Sequence, residues 1–268
     1  MEAVVFFYQF LLGLICSAFV AGSAFILQWL SLSGALAAAL SGTIIIALGP
    51  WFSIFLVGFF FASSGIINHL KKKNSADDLV IKGARRDAIQ VLANLSPSLL
   101  ALIGYASFNN ENYLWAFIVG IASCTADTWG SEIGVLSKKA PRNLLTGKKL
   151  PAGLSGGVSL LGTIASFAGS GGIVLLLAIC LWLSGQPLSL TALIWVLLLG
   201  FSGSIIDSLL GATIQVRYQC TVCHQFTEQK SHHQQPTKKV HGYALITNEA
   251  VNFLSNLAIV GIACFFPN

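Results

Sequence analysis

Long apolar runs broken by short polar segments dominate this chain. They lie near residues 3–27, 32–48, 50–67, 88–108, 113–136, 156–183, 188–214 and 243–265. A helix needs about 20 apolar residues to cross a bilayer core. The pattern predicts an all-α fold, a polytopic integral membrane helical bundle of about seven to eight transmembrane helices. Residues 1–268 read as a single membrane domain, with a Cys/His-containing loop at 215–242 inside it. The second and third runs are short and meet at Gly49-Pro50, so they predict two tilted spans or a re-entrant pair. The segments Gly34 to Gly42 and Gly162 to Gly172 are rich in small residues. Such residues let helix backbones approach closely in lipid.

Charge sharpens the picture. Only 9% of the residues are charged while 55% are hydrophobic. A soluble domain spends about a quarter of its residues on charge, so lipid must serve as much of the solvent. All 15 Lys and Arg residues fall in three connections, 68–87, 137–151 and 215–242. The positive-inside rule makes these loops cytoplasmic, with both termini on the far side, in a multi-pass protein of the cell membrane. The net charge of +5 comes from residues flanking apolar spans. It reads as a topology signal and as phosphate contacts, and nucleic acid is not an expected partner. The N-terminus lacks the positive region of a cleavable signal peptide. Cys16, Cys124, Cys180 and Cys264 lie in apolar runs and read as packing residues.

Four acids interrupt the apolar runs: Asp127, Glu132, Asp207 and Glu249. Each costs about 2.5–3.5 kcal/mol at a helix centre on insertion scales, so it is expected to be paired, wetted or bound to an ion. Counting about 1.5 Å per residue from the nearest basic residue or histidine puts all four at or below the midplane, on the cytoplasmic side. Polar stripes accompany them. Asp87, Gln90 and Asn94 recur at helical spacing, as do Asn248, Asn252 and Asn256. Together they predict the wall of a polar chamber; the plainer alternative is a set of interhelical hydrogen bonds. Lys148-Lys149-Leu150-Pro151-Ala152-Gly153-Leu154-Ser155-Gly156-Gly157 leads into the sixth apolar run. A Gly-rich helix start with lysines beside it can hold phosphate, though close packing explains the glycines equally well.

Cys220-Thr221-Val222-Cys223-His224, followed by His232, His233 and His241, carries the ligand types of a small structural zinc site. A redox pair and an unligated loop remain the alternatives. No HExxH-type base accompanies these residues, which argues against zinc hydrolysis.

Several of these stretches resemble a family of membrane proteins, domain of unknown function 92, which includes animal transmembrane protein 19 and the phytyl-phosphate kinase of plants and cyanobacteria. The matching segments are Gly83 to Asp87 with Gln90 to Asn94, Ala126 to Gly134, Gly153 to Thr163, Ile206 to Gln215, and Asn248 to Ser255. Two departures stand out. The family usually has Asp where this chain has Glu249, and often His-Cys where it has His232-His233. The resemblance implies transfer of a phosphoryl group from a nucleotide, CTP in the first instance, to a prenyl monophosphate. Asp127, Glu132 and Asp207 would then be catalytic and hold Mg²⁺. Lys148, Lys149, Ser155, Gly156 and Gly157 would meet nucleotide phosphates. Arg85 and Arg86 would bind the lipid phosphate, and Asn94, Asn248, Glu249 and Asn252 would line the site. Cys220, Cys223, His232 and His233 would be the zinc ligands. A membrane transporter or lipid-phosphate translocase uses the same acids differently and stands as the alternative. The pattern leaves a homodimer open.

Overall fold

The computed structural model describes residues 2–74 and 85–265. Residues 75–84, with Lys82, Gly83 and Ala84, lie outside the described residues, as does much of the first basic connection. Among the described residues the chain forms eight helices: α1 (Glu2–Ile26), α2 (Leu32–Leu48), α3 (Ser53–Asn74), α4 (Ala88–Phe108), α5 (Glu111–Gly134), α6 (Leu160–Leu183), α7 (Leu190–Thr213) and α8 (Asn248–Ala263). Five of them, α1, α3, α4, α6 and α7, are long and apolar enough to cross a membrane. The second and third runs form two separate helices, α2 and α3, that meet at Gly49-Pro50.

Local sequence sets the helix ends. Ser31, Asn110, Ser159, Ser189 and Thr247 each cap a helix by accepting a backbone N–H from its first turn. Asp87 and Gln90 form a capping box: Asp87 Oδ1 accepts from Gln90 N at 2.9 Å, and Gln90 Oε1 accepts from Asp87 N at 3.2 Å. They terminate α4 and do not line a chamber, which corrects the reading of that stripe.

The helix α5 is the central pillar. Its residues Ala116 to Ala126 are buried without a break. It packs against α3, α4, α6, α7 and α8. Protein rather than lipid surrounds it, so it tolerates acids that a peripheral span would not. It approaches α6 closely, where a Cβ on Gly162 would come within 2.9 Å of the Gly130 carbonyl oxygen. Leu160, Leu175, Trp182 and Leu36 point outward with more than half their surface exposed, as a lipid-facing shell requires.

The connections at one end are structured. β1 (Arg142–Asn143) pairs with β2 (Gly157–Val158). β3 (Arg217–Gln219) is flanked by β4 (Phe226–Thr227) and β7 (Lys238–His241), and β5 (Ser231–His232) pairs with β6 (Gln235–Pro236). Two expected boundaries move. The sixth apolar run begins as helix at Leu160, so Gly156 and Gly157 precede the helix rather than open it. The eighth begins at Asn248, and residues 243–247 form a turn before it.

Candidate functional site

Three helices converge on a small buried cavity. Its lining is Asn94 from α4, Ser123, Cys124 and Asp127 from α5, and Asn252, Ser255 and Asn256 from α8. The free space is about 10 Å³, room for about one water. Counting residues from the helix ends places these groups roughly 6–17 Å inside the basic end of the bundle.

Pro97 lacks the N–H that would bond the carbonyl one turn back, which loosens the α4 ladder. Beside it, the Asn94 carbonyl accepts from Asn256 Nδ2 at 2.6 Å and from Cys124 Sγ at 3.0 Å. Asn256 Nδ2 also contacts Cys124 Sγ at 3.1 Å. Its Oδ1 is buried with no hydrogen-bond partner. An orphan acceptor beside a cavity marks the place for a donor from water or ligand.

The α7 acid joins from behind. Asp207 Oδ2 accepts from Ser255 Oγ at 3.2 Å, and from Asn252 at 3.1 Å in the amide orientation that also lets Asn252 donate to the Asn248 carbonyl at 2.9 Å. Asp127 and Asp207 therefore meet the same two α8 residues, one by lining the cavity with them and the other by hydrogen bonds. Glu132 and Asp127 both lie close enough to Arg86 to act on its charge. Burial lowers the Arg86 pKa from its ordinary value, and the two carboxylates act in the opposite direction. Arg86 is held in place by its backbone, bonded to Trp29 and Ser31 at 3.0 Å each, and lies over Phe60, 5.5 Å from the ring centre. Arg85 is exposed, and Glu249 is half-buried in the first turn of α8.

The Lys148–Gly157 segment goes elsewhere. Lys148 and Lys149 are exposed on the turn between β1 and β2. Ser155 Oγ donates to Glu228 Oε1, and Gln215 Nε2 donates to both, at 2.8 and 2.9 Å. Arg217 donates to the Ser155 carbonyl at 2.7 Å. Gly156 has φ +79°, and a Cβ there would lie 2.5 Å from the Ala212 backbone nitrogen. The loop is thus wedged against the end of α7. Sequence reasoning missed Gln215, Arg217 and Glu228, which carry this junction. A lone Gln and Arg just past an apolar run, before the Cys/His segment, was the available signal. Arg217 and His241 also line a groove of about 470 Å³ with Leu150, Leu154, Gln219, Phe226 and Val240. The Arg217 Nε and His241 Nε2 atoms are buried without partners. Burial lowers the Arg217 pKa from its ordinary value, offset by Glu228.

Above this junction, the ligand atoms of Cys220, Cys223, His232 and His233 all lie within 4.8 Å of one another. His224 and His241 stand apart from that group. Among the described residues, Asp127, Glu132 and Asp207 do not form a comparable converging set.

Fold and site define a polytopic α-helical integral membrane protein with a polar pocket inside one end. The chain belongs to the family described as Integral membrane protein DUF92, which matches residues 15–260. It is 32% identical over 272 residues to Protein PGR of Arabidopsis thaliana, covering 93% of each chain. It is 33% identical over 122 residues to an uncharacterized membrane protein of Methanocaldococcus jannaschii, covering 44% of this chain and 46% of that one. No solved structure matches it. The resemblance read from the motifs holds across nearly the whole chain.

Proposed function

We propose that this protein is a membrane-embedded, Mg²⁺-dependent prenyl-phosphate kinase, which transfers a phosphoryl group from a nucleotide, CTP in the first instance, to an isoprenoid monophosphate. The observation that carries the reading is the juxtaposition of Asp127 and Asp207 across Asn252 and Ser255, with Arg86 close by at the boundary between helices and basic loops. A lipid phosphate reaching that boundary meets a guanidinium, which suits phosphate geometry. The prenyl tail stays among the helices.

The donor set fits Mg²⁺. The ion prefers oxygen ligands and is usually held by one or two carboxylates together with substrate phosphates and water, so a three-carboxylate cage is not required. Asp127 and Asp207 would supply those carboxylates. When bound, Mg²⁺ would supply positive charge to offset that developing on the transferring phosphoryl group. Asn252 and Ser255 hold the Asp207 carboxylate in one orientation. Arg86 would orient the acceptor phosphate, whose oxygen forms the new bond to the γ-phosphorus as the nucleoside diphosphate leaves. A phosphate monoester dianion needs no general base, so positioning and charge neutralisation supply the catalysis. The groove beside Arg217 and His241, with Lys148 and Lys149 on the nearby turn, would receive the nucleotide phosphates.

The test is direct. Purified protein is incubated with CTP or ATP, Mg²⁺ and prenyl monophosphates, and prenyl diphosphate is measured. No transfer with either nucleotide would sink the reading. If protein-containing liposomes then moved prenyl phosphate between leaflets, the translocase alternative would replace it.

A further inference from the structure

The segment after α7 holds a cluster that the kinase reading leaves unused. We propose that Cys220, Cys223, His232 and His233 form a structural zinc site that keeps residues 215–242 folded as a cap on the basic end of the bundle. Two thiols and two imidazoles are a tetrahedral zinc donor set. Zinc bonds of about 2.0–2.3 Å put neighbouring ligand atoms about 3.3–3.8 Å apart. Cys223 Sγ already lies 3.5 Å from His232 Nδ1, and the whole set is confined within 4.8 Å.

The backbone is arranged around one sulfur. The N–H groups of Val222 and Cys223 point at Cys220 Sγ at 3.3 and 3.5 Å. The Cys220 carbonyl accepts from His224 N at 3.1 Å, and His224 turns left-handed at φ 58°. This knuckle aims backbone dipoles at a ligand sulfur. The two histidines come from a hairpin under strain. His233 and Gln234 form its turn, both left-handed at φ 53° and 59°. Left-handed backbone is strained for residues other than glycine, and ligation by both histidines would offset that strain. Thr221 Oγ1 ties knuckle to hairpin by donating to the Pro236 carbonyl at 3.2 Å.

Burial alone is a poor account of this fold. The strands of the segment are two to four residues long, and Val222, Phe226 and Val240 are exposed. Elements this small are held by a metal or a disulfide when the core is insufficient. The two thiols are free here. The folded cap has a task at hand: its Glu228 accepts from Ser155 and Gln215, pinning the loop before α6 to the end of α7. The zinc site stands whether or not the protein transfers phosphoryl groups.

The experiment is elemental analysis of the full chain, purified in detergent with any histidine tag removed and no metal added. About one zinc per chain is expected, lost in Cys223→Ser and in His232→Ala but kept in Cys16→Ser. If those variants do not fold, the wild type decides. Chelation should release the zinc, expose Cys220 and Cys223 to alkylation, and open the cap to trypsin at Lys230, Lys238 and Lys239. Cobalt added back should give the thiolate absorption of a tetrahedral site. Zinc well below one per chain with both thiols freely alkylated, a Cys220–Cys223 disulfide in the purified protein, or iron in place of zinc would each overturn the proposal.

Discussion

Asp127 is the residue on which the functional reading turns. An acid kept inside a bundle for structure alone tolerates its isosteric amide, sometimes with a gain, because a buried charge is removed. An acid that ligates a hard cation does not, since an amide is a far weaker ligand. Asp127→Asn is therefore expected to leave detergent-solubilised protein folded, with an unchanged elution profile, while prenyl-phosphate transfer falls at least about 100-fold. Near-normal turnover in that variant would remove the metal role. Lys148→Ala, on the exposed turn, should raise KM for the nucleotide more than it lowers kcat. Gly156 poses a different kind of question. Its φ of +79° and its fit against Ala212 leave no space for a methyl group. Gly156→Ala should destabilise the protein by more than about 2 kcal/mol, combining left-handed strain with a clash. A thermal melt within 2 °C of wild type, with the order-of-magnitude scaling of about 2–4 °C per kcal/mol for chains this long, would show that the wedge is not needed. The thiol of Cys220 belongs to this scale too. The backbone N–H of Cys223 pushes it down to about 6, against the opposing effect of burial, and the His232 ring and the Val222 N–H add to the lowering. Cys220 is covered, with 1% of its surface exposed.

At the scale of elements, hydrophobic length revealed the peripheral helices and helical spacing revealed Asn94, Asn252 and Asn256. The acids stood out because nothing else in apolar runs carries charge. Other features were hidden for physical reasons. Asp87 and Gln90 share the spacing of a chamber stripe, but three residues apart ahead of an apolar run is also the capping-box signature, and that use prevailed. The strands of the connections span two to four residues, too few for alternation to register. The Ser155–Gln215–Glu228 junction joins residues 60 and 73 positions apart, beyond any local pattern. The helix pair α5 and α6 offers the clearest test at this scale. Gly130 and Gly162 bring the two backbones together, whereas Leu160 on the same helix faces outward with 78% of its surface exposed. Gly162→Val should cost about 1–3 kcal/mol or more, since the helices cannot separate without disturbing the cavity wall on α5. Leu160→Val should change little. Thermal unfolding of both variants in the same detergent compares them, and equal melting temperatures would mean that the α5–α6 contact is not tight in solution.

The whole molecule has two dissimilar ends. At one, Arg86 joins the α1–α2 turn to the start of α4, and Arg217 joins the loop before α6 to the end of α7. At the other, Trp51 Nε1 donates to Ser184 Oγ at 3.2 Å, linking the α2–α3 and α6–α7 connections, where no Lys or Arg occurs. Every helix hairpin therefore returns its basic connection to the same end, as a bundle with one polar face requires. A bilayer reads such asymmetry by retaining Lys and Arg on the cytoplasmic side. The expected outcome is a single orientation with the pocket, the cap and the turn bearing Lys148 inside the cell. Single cysteines introduced at Leu145, on the exposed basic turn, and at Gln186, on the connection opposite, separate the possibilities. A membrane-impermeant maleimide applied to intact cells should label Gln186→Cys and spare Leu145→Cys, with the parent chain as blank. Permeabilised cells should allow both. Labelling of Leu145→Cys in intact cells would put the basic end outside, away from cytoplasmic nucleotide. The kinase reading would then fail on topology alone, before any assay of transfer.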